Sequence, residues 1–147
     1  MAGPSILLHS GLDPQVVHIQ GAALGSALAY YDGDLVQTDA NGELVIGASK
    51  TYLGIARDDF STTDDTDTPV ELLDLHSIYV GRVAAGVTPV EAYIGDGLAI
   101  TFTVGAHTLA IGGTDEAYCV GLHHEDGLVA GGRILFRFSY TSFVHTT

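Results

Sequence analysis

The sequence has no tryptophan, a single cysteine and few basic residues. Its 147 residues include 18 Asp or Glu side chains but only five Lys or Arg, which gives a formal net charge of −13. A surface with this charge repels phosphate backbones, so the composition disfavours a nucleic-acid partner. Because Cys119 is the only cysteine, the chain is not expected to form a disulfide framework or a cysteine-based zinc cluster.

The sequence also lacks an apolar run long enough for a membrane helix. Its longest such run, residues 21–31, has about ten residues, half of what a helix needs to cross a bilayer. The start, Met1 to Pro4, has neither the basic residues nor the apolar stretch of a secretory signal. Nevertheless, 46% of the residues are hydrophobic and the mean hydropathy is +0.29. We therefore expect no membrane partner, and we expect the excess apolar surface to be buried against other subunits.

Glycine is abundant, and apolar and polar residues alternate in many short segments. This alternation predicts strands at residues 16–20, 34–38, 43–46, 52–57, 70–74, 77–84, 98–104, 107–111, 118–122 and 133–140. Asn41-Gly42 and Gly105-Ala106 predict tight hairpins. Residues 21–31 are predicted to be a loop or a single helical turn, and residues 60–69 a polar loop. Short strands at this spacing predict an all-β fold, either a compact barrel or a sandwich.

One pattern of turn glycines and apolar residues occurs twice in the chain. Three aligned pairs keep a slowly drifting separation, namely Leu35 and Leu98, Gly47 and Gly112, and Gly54 and Gly121. Such a repeat indicates one supersecondary unit used twice, with both copies closing one shared core. We therefore predict a single β domain, 16–147, made of two similar halves, 16–75 and 76–147.

The segment 1–15 differs in character from the rest of the chain. It contains Pro4 and Pro14 and few strand signals. Proline has no backbone N–H to give to a sheet, so this segment is predicted to be an extended N-terminal arm outside the sheets.

No group of residues has a spacing that indicates catalysis or metal binding. His123 and His124 are adjacent, and adjacent residues of a strand point to opposite faces, so they are not expected to share a metal ion. The acidic run 64–67 lacks the order of a calcium loop, and Asp32-Gly33-Asp34 is typical of a turn. Cys119 has no base beside it. We expect a protein that is not an enzyme and that needs no cofactor or metal.

The segment from Asp32 to Asp59 resembles the capsid decoration proteins of tailed bacteriophages, also called cement or auxiliary head proteins. The similarity lies in Gly-Asp-Leu-Val at 33–36, the Asp-Ala-Asn-Gly hairpin at 39–42 and Leu-Gly-Ile-Ala at 53–56. The resemblance implies a non-enzymatic structural protein that is made in the host cytoplasm. It further implies that the protein binds the major capsid protein on the outer surface of the virion, commonly as a homotrimer, and stabilises the shell.

Two groups of residues are candidates for partner binding. Ile6, Leu7 and Leu8 form an apolar triplet in the arm, which we predict to dock on the capsid or on a neighbouring subunit. Arg133 and Arg137 lie on the last predicted strand, where they either make fixed contacts at an interface or are ordinary surface charges.

Two other functions stay open from the sequence. A virion adhesin or carbohydrate-binding head-fibre protein would use tyrosines such as Tyr30, Tyr31 and Tyr140 to stack on sugars. A small hydrolase or metal-dependent enzyme has less support, because no coherent set of catalytic groups is present.

Overall fold

The computed structural model describes residues 6–11, 13–21, 28–47, 53–61, 67–103, 105–112, 116–123 and 129–139. Within these ranges the chain is all-β, as predicted, and its one helical element is a short 3₁₀ turn, Glu91–Tyr93. The strands are β1 (Leu7–Ser10), β2 (Val16–Gln20), β3 (Leu28–Tyr30), β4 (Leu35–Thr38), β5 (Leu44–Ile46), β6 (Gly54–Ala56), β7 (Phe60–Ser61), β8 (Asp67–Leu72), β9 (Ile78–Val83), β10 (Gly97–Thr101), β11 (Thr108–Ile111), β12 (Ala117–Leu122) and β13 (Arg133–Phe138).

The first half forms a five-stranded sheet, which we call the N-terminal sheet. Its strand order is β2-β8-β6-β4-β5, with antiparallel neighbours throughout. Gly21, which directly follows β2, makes a parallel bridge with Leu44 on β5. This bridge brings the two ends of the sheet together.

The second half forms a closed five-stranded barrel, which we call the C-terminal barrel. Its strands follow in the order β9-β13-β12-β10-β11, and β11 pairs in parallel with β9 to close the ring. This is the order of the N-terminal sheet strand for strand, and the closing pair, Leu109 with Val83, corresponds to the bridge between Leu44 and Gly21. The prediction of two similar halves is confirmed at the level of strand connection.

The alignment of the two copies differs from the one that the sequence suggests. Gly33 donates its N–H to the carbonyl of Ala56 and has φ +95°, while Gly95 donates to the carbonyl of Cys119 and has φ +94°. The strand pairs that follow these matching turns are Val36 with Gly54 and Leu98 with Ala117. The structural counterpart of Leu98 is therefore Val36 instead of Leu35, and that of Gly54 is Ala117 instead of Gly121.

The sequence alignment went wrong because it matched two glycines that have different roles. A side chain at Gly54 would lie 2.5 Å from the carbonyl oxygen of Glu71, so the close approach of β8 excludes one there. Gly121 instead lies at an irregularity in the pairing of β12 with β13.

The predicted arm is partly a strand of the sheet. Residues Leu7–Ser10 form β1, which pairs antiparallel with β9, and Ile6 is only 1% exposed. The two prolines of the segment lie outside β1, so they do not interrupt its hydrogen bonds. The prediction that residues 1–15 lie outside the sheets is therefore wrong for this stretch.

Two predicted loops also contain strands. Leu28–Tyr30 pairs with Phe60–Ser61 in a separate two-stranded sheet, and β8 begins at Asp67, within the predicted polar loop 60–69. Alternation does not reveal these pieces because 28–30 lies in a continuous apolar run, β7 has only two residues, and β8 begins with the polar residues Asp67 and Thr68.

The core consists of two clusters instead of one shared core. The larger fills the C-terminal barrel and also receives Ile6 and, from the N-terminal sheet, Leu35 and Ile55. The smaller lies inside the N-terminal sheet and includes Val36 and Ala56. Because successive strand residues point to opposite faces, β4 and β6 contribute one residue to each cluster in turn.

Candidate functional site

The apolar triplet of the arm is largely used within the chain. Ile6 is buried in the larger core cluster, while Leu7 and Leu8 are partly buried. Leu8 also lines a cleft of about 240 Å³ that reaches Tyr79 and Asp74. The Ile6 side chain is therefore part of the fold in this structure.

The two predicted arginines lie on the outer face of β13. Along this strand Ile134, Phe136 and Phe138 are buried inside the barrel, so Arg133 and Arg137 project on the opposite side. Arg133 stands opposite Arg82 of β9, whose side chain is exposed and whose Nη1 donates to the Gly131 carbonyl at 3.4 Å.

Arg137 has an aromatic neighbour and an unsatisfied donor. Its partner across the strand pair is Tyr118 of β12, which is 36% exposed. The Nε of Arg137 is buried and makes no hydrogen bond within the described part of the chain. We call Arg82, Arg133 and Arg137 the arginine face.

A buried polar group that sequence reasoning missed joins the two halves. Asp34, just before β4, is fully buried, and both of its carboxylate oxygens accept the backbone N–H of Gly105, at 3.0 and 2.9 Å. Its Oδ2 also accepts the N–H of Tyr31 at 3.0 Å. One carboxylate of the N-terminal half therefore holds the β10–β11 connection of the C-terminal barrel.

His107 makes the return contact. Its Nε2 accepts the backbone N–H of Leu35 at 3.1 Å, and its Nδ1 lies 2.9 Å from the Thr103 carbonyl and 3.4 Å from Oδ1 of Asp34. An Nε2 that accepts a hydrogen bond carries no proton, so Nδ1 is the protonated nitrogen of a neutral ring. We call Asp34 and His107, with the backbone groups that they bind, the junction.

Burial sets the ionisation of both junction side chains. It lowers the pKa of His107 from its usual 6.5, against the opposing effect of the nearby Asp34 carboxylate. Burial also raises the pKa of Asp34 from its usual 3.8, and the N–H donors of Tyr31 and Gly105 oppose that change. Because the pair binds mainly backbone groups, the arrangement fits positioning of the two halves better than proton transfer.

A second polar group lies beside the junction. Arg57 Nε is 3.8 Å from Asp32 Oδ1, and the Asp32 N–H donates to Asp59 Oδ1 at 2.8 Å. Glu71 is 8% exposed, and burial raises its pKa, while Arg57 opposes the rise. Asp32 thus has a partner and a turn geometry, as the sequence indicates.

The tyrosines proposed for sugar stacking are not presented to solvent as a platform. Tyr30 is fully buried, and its hydroxyl bonds the Thr68 hydroxyl. Tyr31 is half-buried and packs close to Gly105. Tyr140 lies outside the described residues. Tyr30 and Tyr31 therefore do not support the adhesin alternative.

The histidine pair that the sequence raised as a metal candidate is only partly described. The His123 ring lies 6.1 Å from the His9 ring of β1, edge to face, whereas His124 falls outside the described residues. Among the residues that the structure describes, no three His, Cys, Asp or Glu side chains could hold a metal ion together. The same ranges contain no helix with the length and hydropathy needed to span a bilayer.

Strand β2 exposes apolar side chains to solvent. Val16 is 48% exposed and Val17 is 37% exposed, and His18 is also exposed.

Comparison with protein families, with curated proteins and with solved structures gives no match for this chain.

Proposed function

We propose that this protein decorates the outer surface of a tailed-phage capsid. There it would bind the major capsid protein as a homo-oligomer, with a trimer as the expected form, and strengthen the shell without catalysing a reaction. It would be made in the host cytoplasm and function on the virion. The resemblance of residues 32–59 to decoration proteins is the starting point of this proposal.

The observation that carries the proposal is the arginine face on an acidic molecule. Arg82, Arg133 and Arg137 are three of only five basic residues in a chain with net charge −13. They lie on the outer face of two paired strands, with Tyr118 beside Arg137. Arg and Tyr are enriched at the energetic centres of interfaces, and arginine binds carboxylates through two parallel hydrogen bonds. The face therefore fits a protein surface that presents Asp or Glu.

The rest of the surface suits a crowded particle. Many copies side by side avoid aggregation when their outward surfaces repel one another, and the acidic excess provides this repulsion. A single basic face would then also orient each copy as it approaches the shell.

Addition of the purified protein to expanded phage capsids that lack a decoration protein tests the function. We expect attachment and a rise in the temperature at which the shells come apart. Attachment to none of the capsids tried would contradict the proposed function.

A charge reversal tests the face separately. Arg82→Glu, at an exposed side chain of the arginine face, should weaken attachment by at least about tenfold, or about 1.4 kcal/mol, while the melting of the free protein stays near that of wild type. Lys50→Glu makes the same change in net charge elsewhere in the sequence and should bind as wild type does. Equal weakening by both variants would show that net charge alone matters and would remove the arginine face from the proposal.

A further inference from the structure

The two halves of the molecule differ at one equivalent edge. Val17 pairs with Val70 in the N-terminal sheet, as Tyr79 pairs with Phe136 in the C-terminal barrel, so β2 and β9 occupy the same place. The edge of β9 at residues 78–80 is covered by β1. Among the described residues, no strand covers the matching edge of β2 at residues 16–18.

Side chains on the covered edge of β9 are less exposed than those on the open edge of β2. Val80 pairs with Leu7 of the arm and is 6% exposed, whereas its counterpart His18 is exposed, and the adjacent Val17 and Val16 are 37% and 48% exposed. The strand has no Asp, Glu, Lys, Arg or Pro between Val16 and Gln20, although natural edge strands are usually protected by a charge or a proline. A bare apolar edge of this kind is a template for another strand.

The direction of the backbone groups on β2 can be read from its pairing with β8. The Leu72 N–H donates to the Gln15 carbonyl at 2.9 Å, so Gln15 faces β8. Because hydrogen-bonded residues alternate along an antiparallel pair, Val17 also faces β8, and Val16 and His18 direct their N–H and C=O groups to the open edge. Val80 occupies on β9 the position that His18 occupies on β2, and Val80 is paired with Leu7 of β1.

We propose that β2 pairs with β2 of a second copy of this chain, across a two-fold axis. Among the described residues, the segment that covers such an edge is the arm, and it already lies on β9 instead of β2. Two copies can cover each other's open β2 edge. A two-fold axis places two copies of one strand antiparallel, which is the orientation that β1 adopts on β9.

Charge also favours this occupant. Two chains of net charge −13 repel each other least where neither presents an acidic side chain, and β2 contains no Asp or Glu. Val16 and Val17 of both copies would then be removed from water. This contact is independent of the arginine face and of the proposed capsid function, and it would join two trimers if the protein is trimeric.

Proline substitution tests the pairing with little effect on the fold. His18→Pro removes the N–H that faces the open edge and leaves the hydrogen bonds to β8 in place. His18→Ala is the matched control, because it removes the same side chain and keeps the N–H. Sedimentation equilibrium of the full chain at micromolar concentration should show dimers or hexamers for wild type and His18→Ala. His18→Pro should show half that mass, with a dissociation constant raised at least about tenfold.

A second pair of variants covers the case in which proline disturbs the strand. Val16→Lys places like charges near each other across the axis, while Val16→Thr keeps the β-branched shape without charge. Val16→Lys should halve the mass, and Val16→Thr should not. A wild-type protein that is a monomer or a lone trimer overturns the proposal, as does a wild-type mass that both His18→Pro and Val16→Lys retain while folded.

Discussion

At the scale of single residues, the junction gives the strongest expectation. Asp34 and His107 come from different halves, are both buried, and bind backbone groups of the other half. A buried donor or acceptor that loses its partner costs about 1–3 kcal/mol. A change to one junction side chain should therefore destabilise both halves.

We expect His107 to make the protein less stable as the pH falls. The unfolded chain takes up a proton near the usual pKa of 6.5, but burial lowers the pKa in the folded state. The free energy of unfolding is therefore unaffected by protonation of His107 above the usual pKa of 6.5. It falls as the pH drops below 6.5, by up to about 1.4 kcal/mol per pH unit. Asp34 acts in the opposite sense at lower pH because its pKa is raised, so the measurement should run from about pH 7 to about pH 5.5.

Urea unfolding of His107→Gln checks this expectation. Glutamine stays neutral and offers one acceptor to the Leu35 N–H, so the variant should lose about 1–2 kcal/mol at neutral pH but show a flatter pH dependence. A slope that His107→Gln leaves unchanged would show that the junction does not titrate in this range.

Two hairpin glycines provide a matched comparison. Gly42 and Gly105 both have positive φ, +77° and +74°. A side chain at Gly42 would meet nothing within 4 Å, whereas at Gly105 it would lie 2.7 Å from the Tyr31 ring. Gly42→Ala should therefore cost only the backbone strain, about 1–2 kcal/mol, and Gly105→Ala clearly more. Equal losses in thermal melts would contradict this reading, as would a larger loss from His123→Ala than from Gly42→Ala.

The sequence could not reveal the junction. Asp32-Gly33-Asp34 does form a turn, and its composition indicates only that. The role of Asp34 depends on Gly105, which lies in the other half of the chain, and no local pattern marks two such distant residues as neighbours. Positive φ at Gly42 and Gly105 was predictable, because it follows from the hairpin itself.

At the scale of elements, the arm is the place where expectation and structure differ most. The sequence predicts an arm that lies outside the sheets, but Ile6 is 1% exposed and β1 covers one edge of β9. Ile6→Ala should therefore cost about 2–4 kcal/mol in urea unfolding. Leu7→Ala, at a partly buried position next to it, should cost less. If neither variant changes the midpoint, the arm contributes no stability to the isolated chain.

The strands that alternation predicts are found close to their expected places. Val16–Gln20 is found as predicted, and the predicted strand 133–140 is found as Arg133–Phe138. When one face of a strand is buried in a core and the other is outside it, apolar and polar residues alternate along the strand. Strands β1 and β3 lie in segments whose apolar residues do not alternate, and β7 has only two residues, so the sequence shows no period for these strands.

At the scale of the whole molecule, the repeat is real, but the buried residues form two clusters, and the larger one draws on both halves. The sequence shows the duplication through its glycines and hairpins, yet it cannot show that the side chains of Leu35 and Ile55 pack in the larger cluster. That choice depends on how the halves pack, and both faces of β4 and β6 are apolar enough to be buried. The outer surface is likewise a property of the assembled molecule, since Arg82 and Arg133 meet only when β9 and β13 pair.

The route of the arm also bears on how the molecule is made. The residues of β1 are synthesised before the strands of the N-terminal sheet, but their partner β9 begins only at Ile78, after all of those strands. The strands of the N-terminal sheet are all synthesised before then, and that sheet can assemble on the nascent chain. The C-terminal barrel needs β13 as well, so it closes only after every strand of the N-terminal sheet has been made. Strand β1 is thus synthesised before the N-terminal sheet but pairs after that sheet is complete, and until then the apolar triplet Ile6, Leu7 and Leu8 is open to any chaperone that meets the growing chain.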